Sequence, residues 1–102
     1  MNVPLPVRIV GSAARTIEEA ARWWSENRPN SPDAFVTDLE NALKLIASHP
    51  DIGGRARNVK LKEIRRVHLA RVHYHLYYRV TSDSVIEIIA LWHTSRGNAP
   101  SI

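Results

Sequence analysis

The apolar residues of this chain change their spacing near residue 64. From Ala13 to about Asn27, Ala13, Ile17, Ala20, Ala21 and Trp24 recur three or four positions apart, the period of one helix face. Trp23 falls beside that stripe. The same spacing returns in Phe35, Val36, Leu39, Ala42, Leu43 and Ile46 and stops near His49-Pro50. Between the two lies "RPNSPD". Pro29 stops the first helix, Ser31 is placed to cap the second, and Pro32 sits in its first turn, where a missing N–H is harmless. Ser12, after Gly11, is the expected cap of the first helix. Two amphipathic helices on so short a link form an antiparallel hairpin.

From residue 64 the period falls to two. In 64–69, Val67 and Leu69 point one way and Arg66 and His68 the other; in 73–80, Tyr74, Leu76, Tyr78 and Val80 oppose His73, His75, Tyr77 and Arg79. "TSDS" reads as a tight turn. "VIEIIALWH" (85–93) is apolar on both faces apart from Glu87, the mark of a central strand. "PVRIV" (6–10) adds a short strand at the start, and "PDIGGRARNVKLKE" reads as a basic loop made flexible by Gly53 and Gly54. The order β-α-α-β-β-β predicts an α+β fold. One antiparallel sheet carries the helix hairpin on one face, in a single domain over residues 1–102. The opposite, exposed face then gathers Arg66, His68, His75 and Arg79 with Tyr77, and draws in His93 and Arg96 from the end of the last strand.

Charge sharpens that picture. The chain has a formal net charge of +4, unevenly spread. Residues 1–50 hold five basic and six acidic side chains, whereas 54–80 hold eight basic ones (Arg55, Arg57, Lys60, Lys62, Arg65, Arg66, Arg71 and Arg79) against Glu63 alone. A one-sided field of this kind attracts a polyanion, either nucleic acid or an acidic protein segment, although a soluble basic face without a partner has the same composition. Lys60, Lys62, Arg65, Arg79 and Arg96 are the candidate binding residues. There is no cysteine, which removes disulfides, thiolate metal sites and cysteine nucleophiles together. The histidines lack HExxH spacing and stand among arginines, an unwelcoming setting for a dication, so neither metal nor cofactor is expected. No run approaches the roughly 18 apolar residues of a membrane span, and the start lacks the pattern of a signal peptide. A cytoplasmic protein without membrane contact is the simplest expectation.

Imidazole and guanidinium on one face suit a metal-free ribonuclease. Such an enzyme needs a base for the 2′-hydroxyl, an acid for the leaving 5′-oxygen, and cations for the charge gathering on phosphorus. Histidine fills either proton role near neutrality, and arginine grips phosphate in a fork. Each histidine taken singly also reads as an ordinary polar strand residue. Arg79, just before the turn, can simply pair with Asp83 or Glu87, and His93 and Arg96 can simply close the last strand. Trp24 fits the buried stripe, Trp23 is the better candidate for a partner contact, and Glu18, Glu19 and Glu26 form a solvated helix face.

The ordered set "HP-x-x-G … R-R … Y-x-L-Y-Y-R-V … I-x-I-I-x-L-W-H-x-x-R", running over about residues 7–97, resembles the RelE/ParE superfamily of bacterial type II toxins. The resemblance implies a toxin neutralised by a co-expressed antitoxin whose acidic, disordered segment folds across it, with Trp23 as the candidate antitoxin contact, in a hetero-oligomer that can be of higher order. It also implies one of two targets. RelE-like members cut messenger RNA in the ribosomal A site, whereas ParE-like members poison DNA gyrase. Matched strand to strand, the basic residues that flank the scissile phosphate in RelE-like members fall on Arg66, His68 and His75, and a C-terminal histidine of some nuclease members falls on His93. The terminal catalytic tyrosine or arginine has no counterpart, since Thr94 and Ser95 follow. The "WW" of the first helix, the "HP-x-x-G" after the second and the "YYRV" strand look closer to ParE-like sequences, so a gyrase inhibitor is the first expectation and a metal-independent endoribonuclease the second.

Overall fold

A computed structural model describes residues 3–102, so the first two residues of the expected domain lie outside the described residues. The elements are β1 (Val7–Ile9), α1 (Gly11–Asn27), α2 (Ala34–Ser48), β2 (Gly54–Arg55), β3 (Arg65–Leu69), β4 (Tyr74–Val80) and β5 (Ile86–His93), followed by a 3-10 turn at Thr94–Arg96. The strands form one sheet in the order β1-β5-β4-β3-β2, with β1 parallel to β5 and the other neighbours antiparallel. The α+β layout with a helix hairpin on the sheet is the expected one. Its fifth strand, β2, has only two residues, too few to show any alternation.

Both helices begin without the expected caps. α1 already starts at Gly11, so Ser12 lies inside its first turn and offers its carbonyl to Thr16 Oγ1. α2 starts at Ala34, beyond the turn that holds Ser31 and Pro32. The Ser31 and Asp33 carbonyls accept from the amides of Ala34 and Thr37, and no side chain caps the helix. The helices bury Ala13, Ala20, Phe35, Leu39 and Ile46 against Leu69, Leu76, Tyr78, Ile86, Ile88 and Leu91 of the sheet. The Arg71 guanidinium ties the β3–β4 turn to α2 by forking onto Asp38, at 2.6 and 3.1 Å, and reaching the Ala34 carbonyl.

The far face of the sheet is less open than its sequence suggests. Tyr77, expected at the surface, is only 2% exposed. It packs with Ile64 and Ile89 in a second, smaller core, beneath Val59 and Ile102. Two devices build this core. A β-bulge between β4 and β5 pairs Tyr77 with Ala90 but Tyr78 with Ile88, which leaves Ile89 as an extra residue. Adjacent Ile89 and Ala90 therefore both pack on the far side, while Ile88 and Leu91 stay beneath the helices. Segment 98–102 then folds back across this face. The Lys60 and Leu61 amides donate to the Ile102 carbonyl, at 2.6 and 3.1 Å, and Trp92 Nε1 donates to the Asn98 carbonyl.

The "HP-x-x-G" segment closes over the other side of the sheet. The Tyr78 hydroxyl donates to the Pro50 carbonyl at 2.7 Å and accepts from the Gly53 amide at 2.9 Å. Arg65 holds the same loop through the carbonyls of Asp51 and Gly53, with the Asp51 carboxylate 3.6 Å away.

Candidate functional site

The register of three strands assembles the exposed part of the far face. His68 lies opposite His75 across β3–β4, His75 lies opposite Trp92 across β4–β5, and Arg66 lies opposite Tyr77. The imidazoles of His68 and His75 lean together with centroids 4.9 Å apart, and the Arg96 guanidinium stacks on the Trp92 indole at 3.8 Å. The result is a row His68–His75–Trp92–Arg96 running across the sheet, with Arg66 beside it.

Next to this row is a groove of about 280 Å³, floored by Tyr77, His75 and Trp92. Arg57, Asn58 and Arg66 line one part of it, and Thr94, Gly97, Asn98 and Ala99 another. No carboxylate lines the groove, and neither Arg57 nor Arg66 is ion-paired among the described residues. Burial holds His75 below the ordinary histidine pKa, and the charges of Arg66 and His68 push in the same direction. Its Nδ1 is buried without a hydrogen-bond partner among the described residues. A neutral imidazole between guanidiniums can accept a proton, and the guanidiniums can bind phosphate or carboxylate oxygens. The groove is therefore an anion-attracting surface with one imidazole in it.

The other candidates divide by position. Lys60 and Lys62 are exposed in the loop before β3, outside the lining of the groove. Arg65 points to the opposite side from Arg66, where it braces the 50–53 loop. Arg79 forms an ion pair with Glu87, which Arg8 also grips from β1. The bonds from Arg8 and then Arg79 hold the Glu87 carboxyl below its usual pKa. His93 does not join the row, because it shares its side of β5 with Leu91, packs edge-on against Tyr74 and borders the helix hairpin. Two-residue periodicity from Leu91 carries that information, whereas proximity to the chain end obscures it. Arg57 is legible in the sequence only as part of the basic run, and Asn58 and Asn98 not at all, because loops without periodicity bring all three to the groove.

Trp23 is 45% exposed and lies at the mouth of a second cleft beside the helices. Among the described residues, no group of three or more His, Asp or Glu could hold a metal ion, and no helix is long and apolar enough to cross a membrane.

Residues 7–97 match the family model described as ParE toxin of type II toxin-antitoxin system, parDE. Among solved structures, the chain is similar to the chromosomal ParDE toxin–antitoxin system from P. aeruginosa, with a TM-score of 0.69 and 17% identity over 87% of this chain and 95% of the other. It is similar to the toxin–antitoxin complex RelBE2 from Mycobacterium tuberculosis, with a TM-score of 0.62 and 22% identity over 89% and 99%. For the isolated E. coli RelE toxin the TM-score is 0.60 and the identity 15%, over 90% and 86%. At these identities the structures show a shared fold. No curated protein matches the sequence. The family match spans nearly the whole chain and agrees with the motif order and the sheet topology: the chain belongs to the ParE toxin family of type II toxin–antitoxin systems, within the RelE/ParE superfamily.

Proposed function

We propose that this ParE-family toxin arrests growth in the cytoplasm by inhibiting DNA gyrase whenever its antitoxin is absent. The observation that carries this reading is the make-up of the far-face groove. Among the described residues it holds two guanidiniums without an ion pair, Arg57 and Arg66, and one imidazole, His75. Phosphodiester cleavage without a metal needs a separate acid and base. His93 is on the other side of the sheet, and His68 stands outside the groove on the edge beside α2. A cationic surface of this kind suits docking onto a large, partly anionic target better than proton transfer. Arg57, Lys60, Lys62 and Arg66 are its contact residues, and Arg96, stacked on Trp92, borders it.

The contact between His68 and His75 beside Arg66 favours a second reading, a RelE-like cut of messenger RNA with the two imidazoles sharing acid and base roles. Brief induction of the chain separates the two. Cleaved plasmid and a DNA-damage response with intact transcripts support gyrase, whereas ribosome-dependent transcript ends support the nuclease. Changing His68 and His75 together to Gln leaves toxicity nearly intact on the first reading and abolishes it on the second.

The antitoxin is the other partner of this reading. Two of the structural neighbours are toxin–antitoxin complexes, and an acidic segment complements the charge of residues 54–80. Co-expression of the small open reading frame adjacent to this one should restore growth.

A further inference from the structure

The second cleft, of about 370 Å³, lies between the end of α1 and the β3–β4 turn, away from the groove. Its apolar walls are Trp23, Trp24 and Tyr74, and its polar rim is Arg28, His73 and His93. The two indoles meet edge to face at 5.8 Å, and the Arg28 guanidinium lies over both, 4.7 Å from Trp23 and 5.6 Å from Trp24. The Arg28 guanidinium has no carboxylate partner among the described residues; it donates to the neighbouring Asn27 carbonyl. Arg71 also lines the cleft, but Asp38 occupies its guanidinium.

The histidines are held in place by the backbone. His73 sits in the left-handed region at φ 65°, with its amide on the Leu69 carbonyl and its carbonyl accepting from Thr94. The Ser95 amide donates to His93 Nδ1, so the neutral ring carries its proton on Nε2 and presents a donor. The cleft thus combines an aromatic wall with an unpaired cation and imidazole N–H groups. That chemistry recognises an apolar or aromatic side chain with a carboxylate next to it.

We infer that this cleft is the anchor site for the antitoxin, receiving one bulky apolar side chain of its acidic segment while Arg28 takes the neighbouring carboxylate. The inference rests on the antitoxin reading above and adds the place and the chemistry of the contact. Trp23 and Arg28 act as the affinity-determining pair, since an exposed indole and a guanidinium at a cleft mouth are typical binding anchors. The anchor leaves the far-face groove to the rest of the antitoxin chain, whose acidic residues complement Arg57 and Arg66.

Calorimetry with the purified product of the adjacent reading frame tests this. Trp23→Ala and Arg28→Glu should each raise Kd by about tenfold or more, while Lys44→Glu on the exposed side of α2 leaves it unchanged. Both substitutions are at exposed positions, and melting curves should match the parent chain. Full affinity in both variants overturns the cleft assignment alone. Absence of binding by the parent chain overturns the antitoxin reading and the cleft together.

Discussion

A methyl group on Gly53 would meet the Tyr78 hydroxyl at 2.7 Å, the ring at 2.8 Å and the Arg66 carbonyl at 3.0 Å. Glycine is needed there for close approach, with no demand on φ, which explains the last position of "HP-x-x-G". Gly53→Ala should lower unfolding free energy by about 1–3 kcal/mol, and Tyr78→Phe by about 1–3 kcal/mol, because it strands the Gly53 amide and the Pro50 carbonyl; urea denaturation checks both. His75 gives a pH signature. Its folded pKa lies below the ordinary value, so the unfolded chain binds the extra proton first and stability falls as pH drops below about 6.5. His75→Gln should remove that component of the slope between neutral pH and the lowered pKa. Glu87, whose pKa is depressed by Arg8 and Arg79, acts in a separate window. Its stabilisation is present above about pH 4.3 and is lost as pH falls through the folded value.

At the level of elements, the two periods of the chain were enough to place the helices and the three long strands, because packing on one face enforces them. Where the structure differs from the pattern, the cause lies outside the local period in each case. Tyr77 lies on the side that alternation assigns it, but it is buried because segment 98–102 returns over it, and nothing local announces that return. Neither Ser12 nor Ser31 caps its helix, because α1 starts at Gly11 with Val10 in the cap position and α2 at Ala34 with Asp33 there, and the first-turn amides of Ala14 and Thr37 donate to the carbonyls of those two residues. β2 exists through pairing with β3, as Gly54 with Arg66 and Arg55 with Arg65, and not through its own composition. Deleting residues 98–102 should therefore expose Ile64, Tyr77 and Ile89, cost roughly 2 kcal/mol of stability and create binding for a hydrophobic dye, while the helix content seen by circular dichroism stays near that of the full chain.

For the whole molecule, the sheet separates two surfaces of different chemistry. The helix side carries the aromatic cleft with Trp23 and Arg28, and the far side carries the groove with Arg57, Arg66 and His75. Arg66 and His75 were legible as neighbours because strand alternation and hairpin pairing are local rules. The places of Arg57 and Asn98 in the groove were not, since they depend on loop closure, whereas Arg28 lies over Trp23 and Trp24 simply because it caps the end of α1. On the proposed reading the two faces divide the work: the cleft anchors the antitoxin, and the rest of the antitoxin chain covers the groove that meets the target. The most direct test of this account is a supercoiling assay with purified gyrase. The parent chain should block supercoiling, and Arg66→Ala should need on the order of tenfold more protein to do so with an unchanged melting temperature. Unimpeded supercoiling by the parent chain, together with ribosome-dependent cleavage of messenger RNA, would contradict it.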